Sequence, residues 1–215
     1  MRKSLLVMVL AAATFGQAAA QVDTTAFYMV NMERERIVHN SMIALGSWGA
    51  ANMVAGGIGW GLSPKGSTEM YFHQMNLFWN VVNVGIAVPS YLKARKRMRN
   101  LKWDAYSTFK DQRGHENVYL INLALDVAYM GTGVWMMEYS DDAPSRWQPL
   151  LTGYGTSLII QGGFLLVNDL VVWLVHRANW RRHEPGIFGA MQYNGTSITI
   201  PIIGKKGRLR RTTDQ

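Results

Sequence analysis

The chain contains no cysteine among its 215 residues. Disulfide bonds are therefore excluded, and so are zinc and iron–sulfur sites that use cysteine ligands. The sequence also lacks a nucleophile–base–acid pattern, a phosphate-binding loop and a metal-ligand spacing. It gives no basis for assigning an enzyme activity, and we predict neither a metal site nor a cofactor.

Charge is almost absent from four long runs of the sequence, which span residues 42–62, 70–92, 117–137 and 147–175. A bilayer core of about 30 Å requires about 20 mainly apolar residues in a helix, and each run reaches that length. The sequence therefore predicts an all-α membrane protein, with a bundle of four transmembrane helices over residues 41–180.

The two ends of the chain differ from this central part. Residues 1–20 carry two basic residues, a short apolar core and three alanines, which is typical of a cleavable secretory signal peptide, although an uncleaved anchor helix is the alternative. Residues 21–40 alternate polar and apolar side chains and predict a surface helix. In the basic tail, residues 181–215, the turn pair Asn194 and Gly195 predicts a short β-hairpin.

The net charge of +8 is concentrated between the apolar runs rather than on one folded domain. The connection at residues 93–116 holds eight Lys or Arg against three acids. This arrangement favours anionic lipid headgroups as partners of the loop and the tail, and it disfavours nucleic acid. We expect a multi-pass protein of a bacterial envelope, with the inner membrane favoured.

The predicted orientation contains a conflict between two signals. The positive-inside rule places the basic connection and the tail in the cytoplasm, whereas a cleaved signal peptide places the same end outside. Three resolutions remain open: a retained signal segment, a glycine-rich first run that re-enters the membrane without crossing it, or an outer-membrane location.

Polar residues recur at helical spacing inside three of the four runs. In the second run they are separated by three, four and three positions, so they share one face of a helix. In hydrocarbon such faces must turn toward one another. We therefore predict a polar interior formed by His73, Asn76, Asn80, Asn83, Asn122, Asp126, Gln161, Asn168 and Asp169.

Two functions are compatible with this interior. A lone ionised carboxylate in mid-membrane costs several kcal/mol, so Asp126 and Asp169 indicate a site that binds or conducts a proton, a cation or a small polar solute. The alternative is a non-catalytic structural or accessory subunit of an envelope complex, whose polar residues join its helices. Haem ligation by His39 and His176 is disfavoured, because histidines at helix ends are more typical of the membrane interface.

Small residues recur every four positions in the first run, at Ser47, Ala51, Ala55 and Gly59. Such a face allows close approach of two helix backbones. It predicts packing against another helix of the bundle, with a contact between copies in a homo-oligomer as the alternative.

Four segments carry a resemblance to a known family: LGSWGAANM, YFHQMNLFWNVVN, LINLALDVAYMGTGVWM and GYGTSLIIQGGFLLVNDLVVW. Together they resemble an uncharacterised family of small membrane proteins from Bacteroidetes-type bacteria, a domain of unknown function. The resemblance covers about residues 41–176 and implies that the four runs form one unit. It implies no activity, ligand or catalytic residue.

Overall fold

The computed structural model describes residues 24–101, 104–189, 192–193 and 198–199. It contains four long helices, α1 (Thr24–Leu62), α2 (Thr68–Arg99), α3 (Ala105–Ser140) and α4 (Gln148–Gly189). Two strands of two residues, β1 (Gln192–Tyr193) and β2 (Ile198–Thr199), pair antiparallel. The predicted all-helical bundle is confirmed.

Two predicted features of the chain ends fall largely beyond this description. The signal peptide at residues 1–20 lies outside the described residues, and so does most of the tail after Gly189. The strands β1 and β2 pair with Gln192 opposite Thr199 and Tyr193 opposite Ile198, but the connection between them is among the undescribed residues. The β-hairpin as a whole therefore stays a prediction.

The helices form two antiparallel hairpins, α1 with α2 and α3 with α4, and α4 also packs against both α1 and α2. The loops at residues 63–67 and 141–147 lie at one end of the bundle, which we name the acidic end. Helix α2 ends and α3 begins at the other, the basic end. Helices α2 and α3 each begin after a polar side chain that caps the N-terminus. The Ser67 side chain accepts a hydrogen bond from the Met70 amide, and the Asp104 side chain accepts one from the Ser107 amide.

The helices are longer than the predicted runs, and the difference lies at the basic end. The segment 93–116 is not a long surface connection, because α2 continues to Arg99 and α3 starts at Ala105. Likewise, the predicted surface helix and the first run belong to one unbroken helix, α1. The reason is packing: Phe27 and Val30 of α1 are buried against Ala105, so the bundle continues past the apolar runs.

Buried ion pairs also join the helices at the basic end. The Arg34 guanidinium lies 3.7 Å from the Glu35 carboxylate and 3.5 Å from that of Asp111, and Arg97 reaches Glu35 at 3.5 Å. Burial lowers the pKa of Arg34 and raises the pKa of Glu35, while the neighbouring opposite charges act in the other direction. Charged residues of α1, α2 and α3 thus form one cluster that sequence periodicity did not predict.

Glycine allows the closest contact between α3 and α4. A Cβ atom added to Gly133 would lie 2.6 Å from the Gly155 carbonyl oxygen, and one added to Gly155 would lie equally close to the Gly133 carbonyl oxygen. No side chain fits at either position without moving a helix backbone. This contact between α3 and α4 was not among the small-residue contacts predicted from the sequence.

Of the small-residue face predicted in α1, only Gly59 lies in close contact with α2. Ser47, Ala51 and Ala55 are exposed. Helix α1 approaches α2 through four glycines, which are separated by three, seven and three positions: Gly46, Gly49, Gly56 and Gly59. At Gly56 an added Cβ would lie 2.8 Å from the His73 carbonyl oxygen. These contacts explain why α1 stays unbroken despite its glycine content, which argues against a re-entrant first run.

In the described part of the chain, two helices are long and apolar enough to span a membrane, Ala105–Ser140 and Gln148–Pro185. The other two, α1 and α2, were also predicted to span it but have a lower mean hydropathy. Glycines in α1 and asparagines in α2 account for the reduction.

Candidate functional site

The first polar region inside the bundle joins α1, α2 and α4, and we name it the amide network. The Asn76 side-chain oxygen accepts hydrogen bonds from the Ser157 hydroxyl and from the Gln161 amide, both at 2.8 Å. The Gln161 side-chain oxygen accepts a third from the Trp48 indole N–H at 2.8 Å. Ser157 and Gln161 are fully buried, so these bonds replace water entirely.

The network continues along α2 through its other asparagines. The Asn80 amide donates to the Asn76 backbone carbonyl at 2.8 Å, and the Asn83 amide donates to the Asn80 side-chain oxygen at 3.1 Å. None of the unpaired buried polar atoms found in the described residues belongs to Asn76, Asn80 or Gln161. The amide network is therefore closed: the side-chain bonds of Asn76 and Gln161 join helices, and those donated by Asn80 and Asn83 lie within α2.

The second polar region is a cavity of about 370 Å³ between α2 and α3, which we name the carboxylate cavity. All four helices contribute to its wall. Its polar lining consists of Asn83, Tyr119, Asn122, Asp126, Tyr129 and Asp169, and the remainder is mainly aliphatic.

The two carboxylates of this cavity have different surroundings. Asp169 accepts a hydrogen bond from the Asn168 amide at 2.8 Å and another from Asn122. Asp126 is only 3% exposed, yet one of its oxygens, Oδ2, has no hydrogen-bond partner in the described chain. An unpaired buried polar atom costs about 1–3 kcal/mol, so Asp126 lacks the compensation that Asp169 has.

A second residue of the cavity wall, Trp79, also has an unpaired polar atom. The Trp79 indole nitrogen is buried, and the described residues provide no acceptor for its N–H. Two residues of the cavity wall, Asp126 and Trp79, therefore bury one unused acceptor and one unused donor. A molecule with both kinds of group could satisfy them.

The cavity opens toward the outside of the bundle between α2 and α3. The backbones of these helices stay apart, and their side chains meet where the Trp79 ring packs edge-on against Tyr129, at a centroid distance of 4.7 Å. Along the opening, Val82, Ile86 and Leu125 are exposed at 60%, 53% and 44%. The entrance is thus apolar while the inner wall is polar.

The nine predicted interior residues divide between these regions. The amide network takes Asn76, Asn80, Asn83 and Gln161, and Asn83 also lines the cavity. Asn122, Asp126 and Asp169 line the cavity as well, whereas Asn168 lies behind its wall and donates a hydrogen bond to Asp169. His73 joins neither, because its ring lies on Gly59 of α1, where it would clash with an added Cβ, and beside the Phe72 ring. The first turns of α2 pack between two helices: His73 lies on Gly59 of α1, while the backbone at Thr68 lies against Gly153 of α4.

Several residues of the site were not among those predicted. Trp48 and Ser157 make network bonds, Asn52 lies 3.4 Å from the Gln161 amide, and Trp79 lines the carboxylate cavity. Trp48 and Asn52 are four positions apart, as are Ser157 and Gln161. The same helical spacing that revealed the asparagines of α2 could have revealed these two pairs.

The histidines considered for haem have different neighbours. The His176 ring is fully buried against His115 and Tyr119, with centroid distances of 5.3 and 5.5 Å. The His39 ring packs on Tyr91 at 4.6 Å. Within the part of the chain that is described, no group of three or more His, Asp or Glu residues could hold a metal ion.

Comparison with known proteins identifies a family. No curated protein and no solved structure matches the chain. A family model described as a family of unknown function, DUF6992, matches residues 44–170. That region is more than half of the chain, and it contains the bonds of the amide network and both carboxylates of the cavity. The protein therefore belongs to the family of unknown function DUF6992.

Proposed function

We propose that this protein is a multi-pass protein of the bacterial inner membrane in which all four helices cross the bilayer. The support is its inverted distribution of side chains. Val54 and Ile58 of α1 are 63% and 59% exposed and Val82 of α2 is 60% exposed, whereas Asn80 and Gln161 are fully buried. A water-soluble bundle has the opposite arrangement. The outer faces of α1 and α2 thus suit lipid even though their mean hydropathy is low.

At the basic end, exposed cations such as Arg95 and Arg182 would lie against anionic headgroups.

Membrane insertion is tested by extraction with alkaline carbonate, which should leave the protein in the membrane pellet; release into the supernatant would contradict the proposal. Reporter fusions after Asn100, between α2 and α3, and at the C-terminus test orientation. The positive-inside rule predicts cytoplasmic reporters, and external reporters would show that the N-terminal segment sets the topology.

In this proposal the carboxylate cavity binds a small solute that carries a positive charge or a hydrogen-bond donor. The observation that carries the proposal is the buried, unpaired Asp126 oxygen at the cavity wall. The volume of about 370 Å³ lies at the small end of ligand pockets, which span roughly 300–1,000 Å³. A water molecule occupies only about 30 Å³, so the space exceeds what a bare ion needs.

Binding is better supported than conduction through the bundle. The amide network lies between the cavity and the acidic end, and its side chains bond directly to one another. A continuous path along the bundle axis would have to break these bonds. The apolar entrance between α2 and α3 instead suits a solute that arrives from the lipid side.

A thermal-shift titration tests this function. Purified protein in detergent is titrated with methylammonium or guanidinium chloride, against sodium chloride at equal ionic strength. At about five times its Kd a bound cation stabilises the fold by on the order of 1 kcal/mol, which raises Tm by about 2–4 °C. Asp126→Asn should abolish this increase. The matched control Asp142→Asn, at an exposed loop position, should retain it.

Two outcomes would contradict the proposed function. One is an equal increase in wild type and Asp126→Asn, which would place the binding elsewhere. The other is a wild-type protein that responds to none of the organic cations. Each comparison uses the change produced by the ligand, so a different starting Tm in the variant does not affect it.

The exposed face of α1 favours a second candidate, a structural or accessory subunit. Ser47, Ala51 and Ala55 present a smooth outer surface of the kind that allows close helix contact between chains. If this face contacts a second copy, Ala51→Leu should lower the mass of the detergent-solubilised particle measured by light scattering. A wild-type particle that contains one chain would exclude a homo-oligomer in that detergent.

A further inference from the structure

A separate cavity of about 330 Å³ lies at the basic end, between the first turns of α3 and the last turns of α4. It shares no lining residue with the carboxylate cavity. Its polar wall, which we name the arginine cleft, consists of Gln112, Arg113, Glu116, Arg177, Arg181 and Glu184. The cleft therefore combines three cationic groups with two carboxylates and an amide.

The arginine cleft lies at the depth of lipid headgroups. Arg113 comes shortly before the apolar run of α3, and Arg177 and Arg181 come shortly after that of α4. At a rise of about 1.5 Å per residue these side chains start within roughly 10 Å of the apolar segments. The Arg177 guanidinium also covers the Trp173 ring at 4.9 Å, a typical interfacial pairing of arginine and tryptophan.

One atom of the cleft is buried without a partner. Gln112 is 3% exposed, and its amide nitrogen donates to the Glu116 carboxylate at 2.9 Å and to the His176 carbonyl at 3.2 Å. Its side-chain oxygen has no donor in the described portion of the protein. A ligand that places an N–H or O–H group in the cleft would remove this deficit.

We propose that the arginine cleft binds the headgroup of one phosphatidylethanolamine molecule. The exposed guanidiniums of Arg177 and Arg181 suit the phosphodiester, because arginine pairs with phosphate through two hydrogen bonds. The primary ammonium suits Glu184 and the free oxygen of Gln112. Phosphatidylcholine has the same charges but no N–H group, and phosphatidylglycerol has hydroxyl donors but no positive charge.

The test is competitive lipid retention, measured by native mass spectrometry on the full-length protein in detergent. The three lipids carry identical acyl chains and are added in equal amounts. Salt at about 0.3 M screens nonspecific attraction to the exposed cations. The double variant R177Q/R181Q should retain about tenfold less phosphatidylethanolamine than wild type. The charge-matched control K96Q/R99Q changes exposed cations of α2 outside the cleft and should retain as much as wild type.

A second variant tests recognition of the ammonium group. Glu184→Gln should lower retention of phosphatidylethanolamine severalfold and leave phosphatidylcholine unchanged. Both variants alter residues at or near the surface, and circular dichroism verifies their fold. Equal retention of phosphatidylethanolamine and phosphatidylcholine by wild type would overturn the proposal, as would a preference for phosphatidylglycerol or equal losses in R177Q/R181Q and K96Q/R99Q. The proposal requires α3 and α4 to lie in a bilayer, but it does not require the carboxylate cavity to bind a solute.

Discussion

The amide network and the carboxylate cavity are neighbouring polar regions of one bundle, and Asn83 belongs to both. In the network, side chains from three helices bond directly to one another. In the cavity, Asp126 and Trp79 each bury a polar atom that no described residue satisfies. A set of closed interhelical bonds stabilises the helix arrangement, whereas unsatisfied groups around an open volume cost stability and are typical of a binding site. The asparagines and carboxylates of this interior therefore have different roles.

The largest expected effect comes from the contact that holds the cavity wall in place. Gly133→Ala should destabilise the protein by about 3 kcal/mol, because the added methyl group overlaps the backbone of α4 and forces α3 away. Thermal unfolding in detergent measures the change. The control Gly131→Ala, two positions away, should not destabilise the protein, because a Cβ added there would meet no atom within 4 Å and alanine favours a helix over glycine. Equal stability of the two variants would show that the α3–α4 contact is looser than the structure indicates.

The next effect distinguishes the amide network from the cavity. Gln161→Leu removes the hydrogen bonds to Trp48 and Asn76. At about 0.6–1.7 kcal/mol for each interhelical bond in a membrane protein, the loss should be about 2 kcal/mol. Thr132→Val is the control, since the Thr132 hydroxyl is exposed and bonds only within its own helix; it should change the free energy of unfolding by less than about 0.5 kcal/mol. A Gln161→Leu protein as stable as wild type would mean that the network is not structural.

The smallest effects should have opposite signs at the two carboxylates. Asp126→Asn replaces an unpaired buried carboxylate with a neutral side chain and should stabilise the protein by about 1 kcal/mol. Asp169→Asn leaves one acceptor for two amide donors, Asn122 and Asn168, and should destabilise it by about 1 kcal/mol. Thermal unfolding without added ligand measures both. Destabilisation by Asp126→Asn would indicate that its carboxylate is satisfied.

Much of this arrangement could be predicted from the sequence, because a helix in a bundle repeats its environment every three to four positions. That rule identified Asn76, Asn80 and Asn83 as one inward face, and the cost of charge in hydrocarbon identified Asp126 and Asp169. The rule could not show that the His73 ring packs on Gly59. The side of a helix that faces the bundle interior changes along its length, because its neighbouring helices change.

Helix lengths and the choice of packing face were harder to predict. The charges of residues 93–116 resemble those of a surface loop, yet Arg97 pairs with the buried Glu35 and so extends α2. In α1 both the alanines and the glycines form small-residue faces, and sequence alone does not show which one meets α2. The division between a closed network and an open cavity depends on distances between helices, which no single helix encodes.

The absence of cysteine permits a direct test of that division by thiol labelling. Single-cysteine variants Asp126→Cys and Asn80→Cys are exposed in membranes to N-ethylmaleimide, which is small and permeates lipid. Because thiol modification requires access, the Asp126→Cys protein should be labelled at least about tenfold faster than the Asn80→Cys protein. Equal rates at the two positions would contradict the existence of an accessible cavity at Asp126.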